Sequence, residues 1–251
     1  MEDRYARYGA ATGIVFVVLL VIAFIVMTEP PNADAPAEEY TAYFSENQDS
    51  VNTGVLLGTL SLFFFIWFAG TLASALRVAA GSPRLPTIAF GGAIAAAVAF
   101  FIGLTALAVA AHRPEEVSPE LTRALYDAFV LSAVPAVAGL VALFGATAAI
   151  ILRSDLLPDW VGWLSGVTAV LQLLAFGPLY TDTGAFAGDG ALGVFVPLVA
   201  GLGTIVVLSI VLIGVVDELN RTLGLTDRVR GAVTGAAAGA QAGATGKRPP
   251  G

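Results

Sequence analysis

AFVLSAVPAVAGLVALFGATAAIIL, residues 128–152, runs directly into RSDLLPDWVGW, residues 153–163. The first stretch contains no Asp, Glu, Lys, Arg or His. A helix rises about 1.5 Å per residue, so a stretch of this length crosses the roughly 30 Å hydrocarbon core of a bilayer. Arg153 then closes the apolar run at a membrane surface. Pro158 cannot continue that helix, because it lacks an amide donor, but it suits the first turn of the next one. Trp160 and Trp163 lie three residues apart, a spacing that lets both indoles sit at the membrane–water border. The segment reads as the end of one span, a tight hairpin and the start of another, with Arg153, Trp160 and Trp163 as interface anchors.

Working outward, five more stretches have the same character: Gly9–Met27, Gly54–Leu76, Thr87–Ala111, Trp160–Leu179 and Ala191–Val216. None carries an ionisable side chain. Lipid offers no partner to an unpaired backbone amide, so these spans are expected to be helices. A barrel would show alternating segments of about ten residues, and nothing here alternates. The expected fold class is all-α: an integral membrane bundle of six transmembrane helices. Residues 1–224 form the membrane domain. Residues 225–251 form an Ala/Gly-rich tail without an apolar face, expected to be disordered. Arg4 and Arg7 before the first span, and Ala33-Asp34-Ala35 after it, resemble a signal peptide and its cleavage site. The gap between Met27 and Ala35 is long and polar for cleavage, so an uncleaved span is the expectation.

Composition agrees with lipid as the solvent. Of 251 residues, 57% are hydrophobic and 12% charged, about half the charge of a soluble domain. The net charge of −7 and pI of 4.6 argue against a nucleic-acid partner, which needs a basic face. With no cysteine and one histidine, thiolate chemistry is excluded and a metal-ligating cluster is not expected. Arg outnumbers Lys eleven to one in an Ala- and Gly-rich chain, the bias of a GC-rich bacterial genome.

Orientation follows from the cations. With the N-terminus inside, ten Lys and Arg residues fall on inner segments and only Arg113 and Arg123 on outer loops. Both termini are therefore expected in the cytoplasm. The outer loop from Thr28 to Thr53 holds six acids and no Lys or Arg. Within it, Pro30-Pro31 is expected to end the first span. Tyr40, Tyr43 and Phe44 would share one face of a short helix from about Pro36, placing aromatics at headgroup level or forming a lid for a ligand or partner. Ser118-Pro119-Glu120 reads as N-cap, N1 proline and first-turn acid of a helix entering the fourth span.

Three features bear on function. First, Phe68–Arg77 echoes Phe144–Arg153, with Phe, Thr, Ala, Leu and Arg matched and Leu-Pro following in both. Parallel repeats of a hairpin occur in transporter folds, and chance matching in Ala/Gly-rich helices is the alternative. Second, Pro135 and Pro197 are expected to kink spans four and six at similar depth, each freeing a carbonyl one turn earlier. Third, Gln172 is the one amide side chain in any span. With Thr168, Thr204 and Ser209 it forms a candidate ligand-binding pocket. Interhelical hydrogen bonding, worth about 0.6 kcal/mol each, is the plainer reading. Gly9/Gly13, Gly54/Gly58 and Gly162/Gly166 mark close helix contacts and suggest self-association.

The pattern Arg153, Leu157-Pro158, Trp160, Gly162-Trp163, together with Phe65–Arg77, Arg84-Leu85 and Ala89–Gly92, resembles uncharacterised multispan membrane proteins of high-GC Gram-positive bacteria. The resemblance covers about 63–92 and 126–172. It implies a bacterial plasma membrane and supplies no catalytic residues.

No intramembrane carboxylate, His or Arg is present to relay protons. Gly162–Gly166 has one residue too many before Ser165 for a nucleophile elbow. There is no phosphate loop or dinucleotide fingerprint. The expectation is a non-enzymatic accessory, regulatory or assembly subunit, with no cofactor and no metal. Its partners would be the lipid bilayer and a protein partner or second copy. The alternative is a small transporter or channel for a neutral or apolar solute. Because the chain lacks cysteine, orientation is directly testable: in intact cells a Ser45→Cys variant should react with an impermeant thiol reagent and a Ser82→Cys variant should not. Labelling of Ser82→Cys alone overturns the orientation.

Overall fold

The computed structural model describes residues 2–154, 157–181, 183–188 and 190–215, with side chains from Arg7 onward. The Ala/Gly-rich tail and Val216, the expected end of span six, lie outside the described residues. Every regular element among the described residues is helical: α1 (Glu2–Val26), α2 (Ala37–Glu46), α3 (Gln48–Ala80), α4 (Arg84–His112), α5 (Pro119–Leu131), α6 (Ala133–Ile151), α7 (Asp159–Gln172) and α8 (Ala191–Val215). Six segments are long and apolar enough to cross a membrane: most of α1, then α3, α4, α5 with α6, α7 with its 3-10 extension Leu173–Leu179, and α8. These match the six expected spans. An even number of crossings places the start of α1, the α3–α4 turn, the α6–α7 turn and the described end of α8 at one end of the bundle, the turn end. The α2 and α5 helices occupy the other, the cap end.

The spans form a closed ring. α1 packs on α3, α3 on α4, α4 on α6 and α6 on α7. α8 completes it, meeting α7 through Thr168 and Thr204 and meeting α1 where Gly13 faces Ser209. Large apolar side chains from several spans meet inside it. Phe68 and Leu72 from α3, Leu143 and Phe144 from α6, and Leu208 from α8 are all almost wholly buried in one apolar cluster. Between helices in lipid there is little hydrophobic driving force, so contact depends on how closely backbones approach. At the crossing of α4 and α6, backbone meets backbone. A Cβ on Gly92 would lie 2.5 Å from the Gly139 carbonyl oxygen, and one on Gly139 would lie 2.4 Å from that of Gly92.

The Gly-x-x-x-Gly pairs are spent inside the bundle rather than on a second copy. Gly9 abuts Thr71, Gly13 abuts Ser209 and Phe68, Gly54 abuts Met27, Gly58 abuts Leu104, and Gly162 abuts Leu152. These pairs therefore offer no free face for self-association.

Both inner prolines distort their spans. Pro135 has no N–H for the Leu131 carbonyl, and the helix breaks at Ser132 between α5 and α6. The Ser132 amide reaches both Ala128 and Phe129 carbonyls, and its hydroxyl donates to the Phe129 carbonyl at 2.6 Å. Before Pro197 the backbone widens into a π-turn over Ala191–Phe195, which makes room for the ring against the preceding turn.

At the cap end, Ser118 caps α5 by accepting from the Leu121 amide, with Pro119 in the first turn. α2 forms from Ala37, as the aromatic spacing predicts, but two of its three rings turn into the protein instead of outward. Tyr40 and Phe44 are fully buried against α5, with the Tyr40 and Tyr126 rings 5.1 Å apart. Met27, Val51, Leu107 and Ala111 complete this second apolar cluster. The correction has a physical cause. α3, and α5 with α6, each span 33 residues, about 50 Å of helix. That exceeds the roughly 30 Å core and leaves long shoulders on which α2 packs.

Polar groups lock this cap. Tyr40 donates to the Asn32 carbonyl at 2.9 Å, and Tyr43 donates to the carbonyl of Met27. Burial raises the Tyr43 phenol above its ordinary range, with a Thr28 hydrogen bond opposing part of that rise. Gln48 donates to the Ala111 and His112 carbonyls at 2.8 and 3.1 Å, answering acceptors left open at the end of α4. The first span ends one turn ahead of Pro30-Pro31, where Thr28 takes a left-handed φ of 58°.

The Gly92–Gly139 crossing yields a prediction. Gly92→Ala should destabilise the protein by about 1–3 kcal/mol, since the methyl meets backbone that cannot rotate away. Gly91→Ala, which meets nothing within 4 Å, should be neutral. Thermal unfolding in detergent checks both, and equal midpoints for the two variants would contradict the crossing.

Candidate functional site

Thr168 and Gln172 are four residues apart and so share one face of α7. Pro197, Gly201 and Thr204 share one face of α8 at spacings of four and three. The two faces meet. Thr168 Oγ1 and Thr204 Oγ1 are 2.7 Å apart, and Gln172 Nε2 donates to the Pro197 carbonyl at 2.9 Å. All three side chains are buried. Gly201 makes room for the amide: a Cβ there would lie 3.1 Å from Gln172 Nε2. The carbonyl that receives the amide belongs to the proline that follows the π-turn, so the contact pins the distorted end of α8 to α7.

Ser209 does not join them. It faces α1, where a Cβ on Gly13 would lie 2.2 Å from its Oγ, and that hydroxyl is buried without a hydrogen-bond partner. Three of the four predicted pocket residues thus come together, as two hydrogen-bonded pairs spanning one helix contact. The contact is neutral. It holds no titratable group, so it can orient or tighten helices but cannot transfer protons. Among the described residues, no three His, Asp or Glu side chains come together in a way that could hold a metal ion.

The interface anchors behave differently from the buried set. Trp160 and Trp163 are more than half exposed at the start of α7, facing away from the bundle. Arg153 is exposed at the turn end and lines a cavity with Arg84 from the first turn of α4. That partnership was not foreseen. The echo aligns Arg153 with Arg77, whereas the fold brings it to Arg84. The echoed segments each lie toward the end of a span that leads through a turn into the next, α3 into α4 and α6 into α7. Its burial is mixed: Phe68 and Phe144 are both fully enclosed, while Leu76 is buried and Leu152 is 37% exposed.

A second surface feature lies along α3 and α4. Phe63, Ile66, Trp67, Gly70, Thr71, Ser74 and Phe90 line an open groove of about 380 Å³. Small residues form its floor, and Phe63 and Trp67, each about half exposed, form its rim. The signal was present in the sequence as Gly70-x-x-x-Ser74, a small-residue pair of the kind that admits a neighbouring helix.

No protein-family model, curated protein or solved structure matches the chain.

Proposed function

We propose that this is a non-enzymatic accessory, regulatory or assembly subunit of a bacterial plasma membrane, with both termini cytoplasmic, acting through contact with another membrane protein. The observation that carries the reading is the filled interior. Phe68, Leu72, Phe144 and Leu208 occupy the space enclosed by the ring, and the polar side chains of α7 and α8 answer each other across their contact. A solute pathway would need polar groups facing water; Gln172 and both threonines are instead committed to protein. The distribution of Lys and Arg supports the orientation. The α3–α4 groove supports a helix as the partner's docking element, because its small-residue floor allows close backbone approach.

A transporter or channel for a neutral solute is the second reading. It draws on the irregular segments at Ser132 and Ala191–Phe195, both toward the cap end, where a path could open by rearrangement of helices.

Native mass spectrometry of the protein extracted gently from its own membrane separates the two. The accessory reading predicts a stoichiometric protein partner that is lost on Gly70→Leu. A Cβ at Gly70 meets only Phe90, at 3.9 Å, so the variant should keep the wild-type thermal midpoint. A retained small molecule with no protein partner, unaffected by Gly70→Leu, would replace this reading with the transporter.

A further inference from the structure

At the turn end a cavity of about 430 Å³ is lined by Ala80, Ser82, Arg84, Leu85, Ile88 and Arg153. It lies where the α3–α4 turn meets the end of α6. Gly81, in the left-handed conformation with φ 60°, ends α3 and turns the chain so that Arg84 opens α4 beside it. Arg153 arrives from the far hairpin, just beyond Ile151. Two arginines from separate turns therefore line one space.

Its surroundings make this pairing informative. The chain as a whole carries a charge of −7, so a basic cavity is not a by-product of composition. Among the described residues, no carboxylate forms an ion pair with either arginine, whereas Arg113, at the cap end, pairs with Glu116. Two like charges in one cavity repel, and an anion between them reverses the sign of that interaction. Guanidinium forks suit phosphate oxygens, which they grip with paired hydrogen bonds. The positive-inside bias accounts for arginines at this end of the bundle, but not for two of them sharing a cavity.

Depth and polarity narrow the ligand. Trp160 and Trp163 lie in the first turns of α7, shortly after Arg153, and mark the level of lipid headgroups. Ala80, Leu85 and Ile88 give the cavity an apolar wall, and Ile88, one turn into α4, is 41% exposed. A small soluble anion would use only the arginine half of this space. A phospholipid uses both halves, with its phosphate at the arginines and its glycerol and first methylenes along Leu85 and Ile88. We infer that the cavity formed by Arg84 and Arg153 binds the phosphate-bearing headgroup of an anionic phospholipid, clamping the α3–α4 and α6–α7 hairpins together at the membrane surface. Basic pockets between transmembrane helices are a recurrent solution for holding such headgroups. This site is independent of the α3–α4 groove and of the accessory reading.

The test uses the full chain, delipidated by detergent exchange and titrated with phosphatidylglycerol, phosphatidylcholine or inorganic phosphate under native mass spectrometry. Wild type should bind phosphatidylglycerol in preference to phosphatidylcholine and should bind inorganic phosphate negligibly. The preference should fall about fivefold for Arg84→Gln and for Arg153→Gln alone, and about 25-fold for both together. The double Arg→Lys variant should retain most of it. Arg113→Gln, at the opposite end, should retain all of it. Should the double Gln variant not fold, the two single variants decide the matter. An unchanged preference in the Gln variants overturns the site. So does an equal loss with Arg113→Gln, or inorganic phosphate binding that displaces the lipid.

Discussion

Lipid supplies no hydrogen bonds, so a polar group inside this bundle is best placed where the chain itself offers a partner, as all but Ser209 of the buried polar side chains of α7 and α8 are. That constraint explains details which otherwise look unrelated. Gln172 reaches a backbone carbonyl on α8, Thr168 finds Thr204, and Ser132 bonds back to the turn that Pro135 disrupts. Gln48, at the head of α3, answers two carbonyls at the end of α4. Each such bond is modest, about 0.6 kcal/mol in membrane proteins, but leaving a group unanswered in hydrocarbon costs several kcal/mol. The penalty, more than the bond, fixes where these residues sit.

Attraction between the helices comes from closeness. Glycines admit backbone oxygens at the α4–α6 crossing and side-chain tips at the α1–α3 and α1–α8 contacts. Large residues then fill what the small ones leave, with Phe68 and Phe144 buried in the apolar cluster the ring encloses. The cap end follows the same economy. Helices longer than the membrane leave shoulders, and α2 packs on them through the Tyr40–Tyr126 ring contact with α5 and a hydrogen bond to the Asn32 carbonyl. The result is a bundle whose interior is committed to itself. Its distinctive chemistry lies on its surface, at the α3–α4 groove and at the paired arginines.

Much of this was legible in the sequence because the bilayer writes in long, uninterrupted runs. Six apolar stretches without charge gave six spans, Ser118-Pro119 gave the cap of α5, and Pro135 gave the break at Ser132. The contact of Gln172, Thr168 and Thr204 could be anticipated from residue type, but not its closure: spacing on α7 and α8 does not say which face meets which. Ser209 shows this directly, since five residues past Thr204 on the same helix it faces α1 instead. Helix pairing was likewise invisible. Gly92 and Gly139 belong to no Gly-x-x-x-Gly pair, yet they bring two backbones into contact, because a crossing needs one small residue on each helix. Arg84 and Arg153 are 69 positions apart in sequence, and only the ring brings them to one cavity. The burial of Tyr40 and Phe44 depended on α5 lying beside α2, a tertiary fact without a local signal.

The account rests on an interior closed to water at the α7–α8 contact. A single cysteine at Thr204, in protein reconstituted into liposomes, measures this directly when a small charged thiol reagent is applied to each face in turn. The account predicts no reaction from either face, and full reaction once the protein is unfolded in detergent. Rapid labelling of the native protein from either face would show a water-filled path at Thr204 and contradict it.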